Sequence, residues 1–94
     1  MYDISADKPR ARFARYLERE GMVRLQYSVF AGTIKASRLK AVSRHISEFF
    51  HKRCTDDDRI FMTTIDVDNF VNMEIYGKRP DLPYILNEVN VLYL

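Results

Sequence analysis

The chain is poor in the residues that would point to a secreted, membrane-spanning or loop-rich protein. It has one cysteine, Cys54, in 94 residues. An internal disulfide is therefore excluded, and a reducing compartment, the cytoplasm, is the expected location. No apolar run approaches the ~20 residues needed to cross a bilayer. No apolar stretch follows a basic start, so no secretory signal is expected. Only three glycines and three prolines are present, and no linker, repeat or low-complexity segment divides the chain. What is there is a core: 47% of residues are hydrophobic, with six Tyr and six Phe. Residues 1–94 are read as one globular domain near the small end of what a single core supports.

Charge is unevenly divided. The net charge is +2, but residues 1–55 hold twelve Lys/Arg against five Asp/Glu, whereas residues 56–94 hold three against eight. Two readings stand: an ordinary solvated surface, or a basic half that contacts nucleic-acid phosphates. The sequence pI of 8.8 lies below the value above ~9 typical of a dedicated nucleic-acid binder.

Residues 1–5 read as the end of a strand. Asp7 is a candidate N-cap and Pro9 suits a first turn, predicting a helix over residues 8–20 closed by Gly21. Alternation from Met22 to Phe30 predicts one strand. Val23, Leu25, Tyr27 and Val29 share one face of it; Arg24, Gln26, Ser28 and Phe30 share the other. Gly32 permits a bend or bulge before Thr33 and Ile34. Ser37 is placed to cap a second helix reaching Lys52, with Leu39, Val42, Ile46, Phe49 and Phe50 at helical spacing. Asp56 to Asp58 make a polar turn into a strand over residues 59–65. A turn at Asp66–Asn69 leads to a strand over residues 70–76, ending at Gly77. A loop at residues 78–81 and a C-terminal strand over residues 89–94 follow.

This order predicts an α+β, ferredoxin-like split βαβ sheet with both helices on one face and an extra C-terminal strand. The other face would be bare, with Tyr27, Phe30, Phe61 and Met62 supplying bulk on both faces. A homodimer is the expected remedy, the C-terminal segment of about residues 78–94 pairing with a partner's sheet edge.

Several side chains can carry chemistry. Asp3, just past a strand, suits a hard cation such as Mg²⁺, or is simply a turn residue. Only Met1 precedes the Tyr-Asp pair, and a first strand that short would place Asp3 on a frayed end. Lys8, Arg12, Arg15 and Arg19 form one stripe on the first helix, with Arg10 off its line and Glu18 and Glu20 partly balancing it. That stripe can follow a phosphate backbone or merely face water. Lys35, Arg38, Lys40 and Arg44 add to it. Ser28 and Phe30 can meet a metal-bound water or a base, and core packing or dimer contact accounts for Phe30 equally well. The Asp66/Asp68 pair and the Asp56–Asp58 run more often make turns and caps than metal sites. His45 and His51 lack the i, i+4 spacing of a zinc helix.

Two segments go further: Tyr2-Asp3-Ile4-Ser5, and Gln26-Tyr27-Ser28-Val29-Phe30-Ala31-Gly32, with the Arg-rich helix between them. Together they resemble the second core family of CRISPR-associated adaptation proteins (Cas-two), small ferredoxin-like homodimers. The resemblance implies a spacer-acquisition subunit that joins the Cas-one integrase and holds duplex DNA. The nucleic-acid contacts would be Lys8, Arg10, Arg12, Arg15, Arg19, Lys35 and Arg38. It also implies an alternative, a Mg²⁺-dependent endonuclease cleaving single-stranded RNA or duplex DNA, with Asp3 as catalytic metal ligand. A third reading is an unrelated ferredoxin-like dimer with an RNA-binding or toxin-like role. Family members carry several apolar residues before the Tyr-Asp pair, making a full central first strand; here only Met1 precedes the pair, so either residues are missing before Met1 or the first strand is unusually short.

Overall fold

The computed structural model describes residues 1–78 and 90–94. In chain order the elements are β1 (Tyr2–Asp3), α1 (Asp7–Arg19), β2 (Val23–Gln26), β3 (Val29–Thr33), α2 (Ala36–Arg53), β4 (Arg59–Ile60), β5 (Thr63–Asp66), α3 (Val67–Val71) and β6 (Asn90–Tyr93). All strand pairings among them are antiparallel. β1 pairs with β4, and a four-stranded sheet runs β2–β3–β6–β5. The whole is the expected α+β, ferredoxin-like arrangement.

Both long helices lie on one face. Phe13, Ala14 and Leu17 of α1 and Val42, Ile46 and Phe49 of α2 share a core with Tyr2, Ile4, Met22, Phe30, Leu92 and Leu94. The predicted stripes are therefore the buried ones, as a period of 3.6 requires. Helix starts differ from expectation. Asp7 is the first helical residue of α1, its side chain pairing with Arg10 one turn on. Ala6 holds the cap position without a side-chain bond. Lys35, not Ser37, precedes α2. Gly21, at φ +83°, does end α1 in the left-handed region that glycine tolerates.

The predicted strand from Met22 to Phe30 is instead a hairpin, β2 and β3 joined by a turn at Tyr27 and Ser28. A two-residue turn alone would reverse side-chain parity, pairing Gln26 with Val29, and the extra residue of the bulge between Arg24 and Gln26 restores it. Arg24 and Phe30, read as sharing a face of one strand, share a face as cross-strand partners. The bulge falls between Arg24 and Gln26, not at Gly32. Gly32 serves a close approach: a Cβ there would lie 3.0 Å from Met22 Sδ and 3.2 Å from Met22 Cα.

The predicted strand over residues 59–65 is interrupted at Phe61 and Met62. The predicted strand over residues 70–76 is not formed. Asp66 caps α3 instead, its carboxylate accepting the Asn69 N–H at 2.8 Å, and Phe70 packs beneath the sheet. The face opposite the long helices is accordingly covered in part. Ala31 and Phe70 are buried there, with Val23, Leu25, Ile65, Met73 and Tyr93 against them. Tyr27 stays 71% exposed and Phe61 59%.

The C-terminal strand is not a free edge. β6 sits inside the sheet between β3 and β5, where it pairs the backbone of β3 beyond Ser28. The predicted loop at residues 78–81, after its first residue, and residues 82–89 of the segment expected to meet a partner lie outside the described residues.

Candidate nucleic-acid interface

Asp3 ends β1 opposite Arg59 and is exposed. Far from fraying, its segment is tied on every side. Tyr2 and Ile4 are buried in the helix-side core. The Tyr2 N–H donates to the Ser28 carbonyl at 3.1 Å. Ser5 donates both its N–H and its hydroxyl to Asp58 Oδ1, at 3.0 and 2.9 Å. The Thr55 N–H donates to Asp58 Oδ2 at 2.9 Å. Arg10 closes the other side, donating from Nη1 to the Ile4 and Ser5 carbonyls, each at 3.2 Å. The hydrogen bonds from Ser5 and then Thr55 hold the Asp58 carboxyl below the usual carboxylate range.

One member of each acidic group, Asp58 and Asp66, is thus structural. Both oxygens of Asp58 are engaged, and both oxygens of Asp66 accept from Asn69. Among the described residues, no three His, Cys, Asp or Glu side chains gather as a metal cage. Asp3 is one carboxylate per chain, which by itself does not make a Mg²⁺ site.

The cations are placed differently. Lys8, Arg12, Arg15 and Arg19 are exposed along α1, opposite its buried Phe13, Ala14 and Leu17. Glu18 and Glu20, expected to balance them, turn toward other partners: Glu18 to Arg24 at 3.6 Å and Glu20 to Arg38. Lys35 is exposed just before α2. Arg10 is occupied by the Asp3 segment and by Asp7, so its geometry is that of a brace.

A feature the sequence did not disclose lies between the helices. A groove of about 230 Å³ is lined by Arg12, Tyr16, Arg19, His45, Glu48, Phe49, Lys52 and Arg53, four cations against the one carboxylate of Glu48. In its wall Tyr16 and His45 stack, their ring centroids 3.9 Å apart and planes 12° from parallel. The basic last turn of α2 (His51, Lys52, Arg53) was visible in the sequence. Its position beside the α1 stripe was not, because that depends on how the two helices pack.

Phe30 of the second motif is fully buried. It stacks near Tyr2, with ring centroids 6.2 Å apart, and the Arg24 guanidinium lies 5.0 Å from its ring centre. It is a core residue and presents nothing to a base. Ser28 contributes through its carbonyl to the anchoring of β1.

Residues 1–73 match the family described as CRISPR associated protein Cas2. This chain belongs to the Cas2 family. It is 39% identical over 62 residues to the CRISPR-associated endoribonuclease Cas2 1 of Archaeoglobus fulgidus, a match covering 66% of this chain and 63% of that protein. It is 30% identical over 87 residues to the CRISPR-associated endoribonuclease Cas2 of Thermofilum pendens, covering 93% and 87%. A third relative, the CRISPR-associated endoribonuclease Cas2 1 of Methanospirillum hungatei, is 37% identical over 51 residues, covering 54% of each chain. Membership sets aside the reading as an unrelated RNA-binding or toxin-like dimer and places the chain in a CRISPR-associated role. The matched stretch runs from β1 through α3; β6 lies beyond it.

Proposed function

We propose that this Cas2-family chain acts in spacer acquisition as a homodimer that grips duplex DNA through its phosphates, alongside the Cas-one integrase subunit. One observation carries the reading. The exposed cations of α1 continue across the groove onto the last turn of α2, while the neighbouring glutamates are drawn off by Arg24 and Arg38. Such a surface tracks a backbone without reading bases, because phosphate contacts position a protein and base-edge contacts specify sequence. The exposed Tyr27 and Phe61 offer apolar area to a second copy, and the twofold axis of a homodimer would double the length of the cationic track.

A second reading is favoured by the relatives' names and by the tethering of Asp3: a Mg²⁺-dependent endonuclease acting on RNA or duplex DNA. Here the Asp3 carboxylates of two copies would hold the ion, which would stabilise charge developing on a phosphodiester.

One pair of measurements separates the two. Duplex binding is titrated against salt for wild type, a variant carrying Arg12→Ala, Arg15→Ala and Arg19→Ala, and Asp3→Asn. Cleavage of single-stranded RNA and duplex DNA in Mg²⁺ is followed in the same preparations. The scaffold reading expects the salt slope to shrink by about 0.9 per lost phosphate contact, with Asp3→Asn binding as wild type. Cleavage lost in Asp3→Asn with binding intact would establish the nuclease. An unchanged slope in the triple variant would sink the scaffold.

A further inference from the structure

Charge in the groove between α1 and α2 is one-sided. Arg12 and Arg19 line it from α1, Lys52 and Arg53 from α2, and Glu48 opposes them. Glu20 is engaged elsewhere, accepting the Tyr16 hydroxyl at 3.5 Å and pairing with Arg38. Arg44, beside His45 in sequence, lines a separate groove against β5. Among these fixed charges stands one group of the kind that changes charge near neutral pH, the His45 imidazole.

Tyr16 holds that imidazole by its face, the ring centroids 3.9 Å apart and the planes 12° from parallel. Tyr16 is itself half-buried and packed against the helix-side core, which fixes the platform. Both imidazole nitrogens lie at the ring edge, and His45 is exposed. Stacking therefore leaves them open to a ligand. A ring held in this way can gain a proton without moving, and an aromatic face favours the cation so formed.

In the free chain, four cations repel a fifth positive charge. A phosphate lying across them reverses the sign of that interaction. Resting on the reading of this surface as a phosphate track, we infer that binding of duplex DNA draws a proton onto His45, so that the grip tightens as pH falls. Proton and duplex are then linked ligands, each raising affinity for the other by the same factor. The sign follows from the order of the two titrations. The extra affinity is complete where His45 is already protonated in the free chain, and is lost as pH rises through its midpoint in the complex.

Two measurements at fixed ionic strength test this, using the full chain and a random-sequence DNA duplex. Dissociation constants are determined from about pH 5.5 to about pH 8, the range in which histidine titrates. Wild type is compared with His45→Phe, which keeps a ring on Tyr16 but carries no proton. Wild type should bind at least about threefold tighter at the acid end, the change that a shift of about half a pH unit produces. His45→Phe should lose most of that gain. In wild type, NMR then follows the His45 imidazole with and without duplex. The His51 imidazole, which lines a different groove beside Arg59, is read in the same spectra. Duplex should raise the His45 midpoint by at least about half a unit, and by more than that of His51.

Binding indifferent to pH, a pH dependence retained in His45→Phe, or equal movement of both histidines would overturn the inference and leave phosphate binding standing. No duplex binding at any pH would remove the phosphate-track reading, and this inference with it.

Discussion

Ser5 and Asp58, 53 residues apart, are joined by two hydrogen bonds to one carboxylate oxygen, from the Ser5 backbone N–H and from its hydroxyl. The other oxygen takes the Thr55 N–H. One side chain therefore fixes the segment that follows Asp3 and closes the turn that enters β4.

Because those bonds favour the charged carboxylate, Asp58 titrates below its ordinary value in the folded chain. Its contribution to stability is complete above the unfolded value of about 4 and is lost as pH falls through the lower folded value. Thermal melts from neutral to strongly acidic pH should show stability falling below about pH 4 in wild type. Asp58→Asn should melt lower at neutral pH and lose part of that acid dependence.

Arg10 and Arg15 should behave as opposites. Arg10→Ala removes the donors to the Ile4 and Ser5 carbonyls, so it should lower the melting temperature while leaving the salt slope of duplex binding nearly unchanged. Arg15→Ala, on the exposed stripe, should leave the melting temperature alone and reduce the slope by about 0.9.

Phe30→Ala should cost about 3–5 kcal/mol by denaturant titration, the range for emptying a buried aromatic site. Loss of DNA binding in that variant would follow loss of fold. Tyr27→Ala, at an exposed turn, should fold normally, and a change in its association state would reveal the surface a second copy uses.

Gly32→Ala presses a methyl group against Met22 Sδ and Cα. Overpacking of this kind costs about 1–3 kcal/mol. Adding Met22→Ala should recover only part of the loss, because the backbone contact at 3.2 Å survives the shorter side chain.

Replacing the α3 cap, Asp66→Ala, should cost about 1 kcal/mol. The loss should appear first as faster amide exchange in residues 67–71, with the long helices unaffected.

Legibility in the sequence followed the reach of each signal. The α1 and α2 stripes could be read because helical periodicity is local. The hairpin at Tyr27 and Ser28 passed as one strand because the bulge between Arg24 and Gln26 offsets the parity reversal of a two-residue turn, so the alternation in the sequence runs through it. The strand over residues 70–76 failed because a single Asp66 cap outweighed a weak β pattern. Of the candidate site, Asp3 and the α1 cations were visible. The bracing by Asp58 and Arg10, the drawing-off of Glu18 and Glu20 and the Tyr16–His45 stack were not, since each depends on tertiary contact. Phe30 was open to two readings, and burial decided for the core.

The interior position of residues 90–94 also has a consequence for biosynthesis. They are translated after every other strand, so until they leave the ribosome β3 lacks its neighbour beyond Ser28 and β5 has none. The nascent chain can form its helices and the β2–β3 hairpin from local contacts, but the middle of the sheet must close over 58 to 62 residues of separation. During that interval the unpaired edges are open to other chains. Chaperone occupancy or aggregation during synthesis should therefore persist until residues 90–94 have emerged.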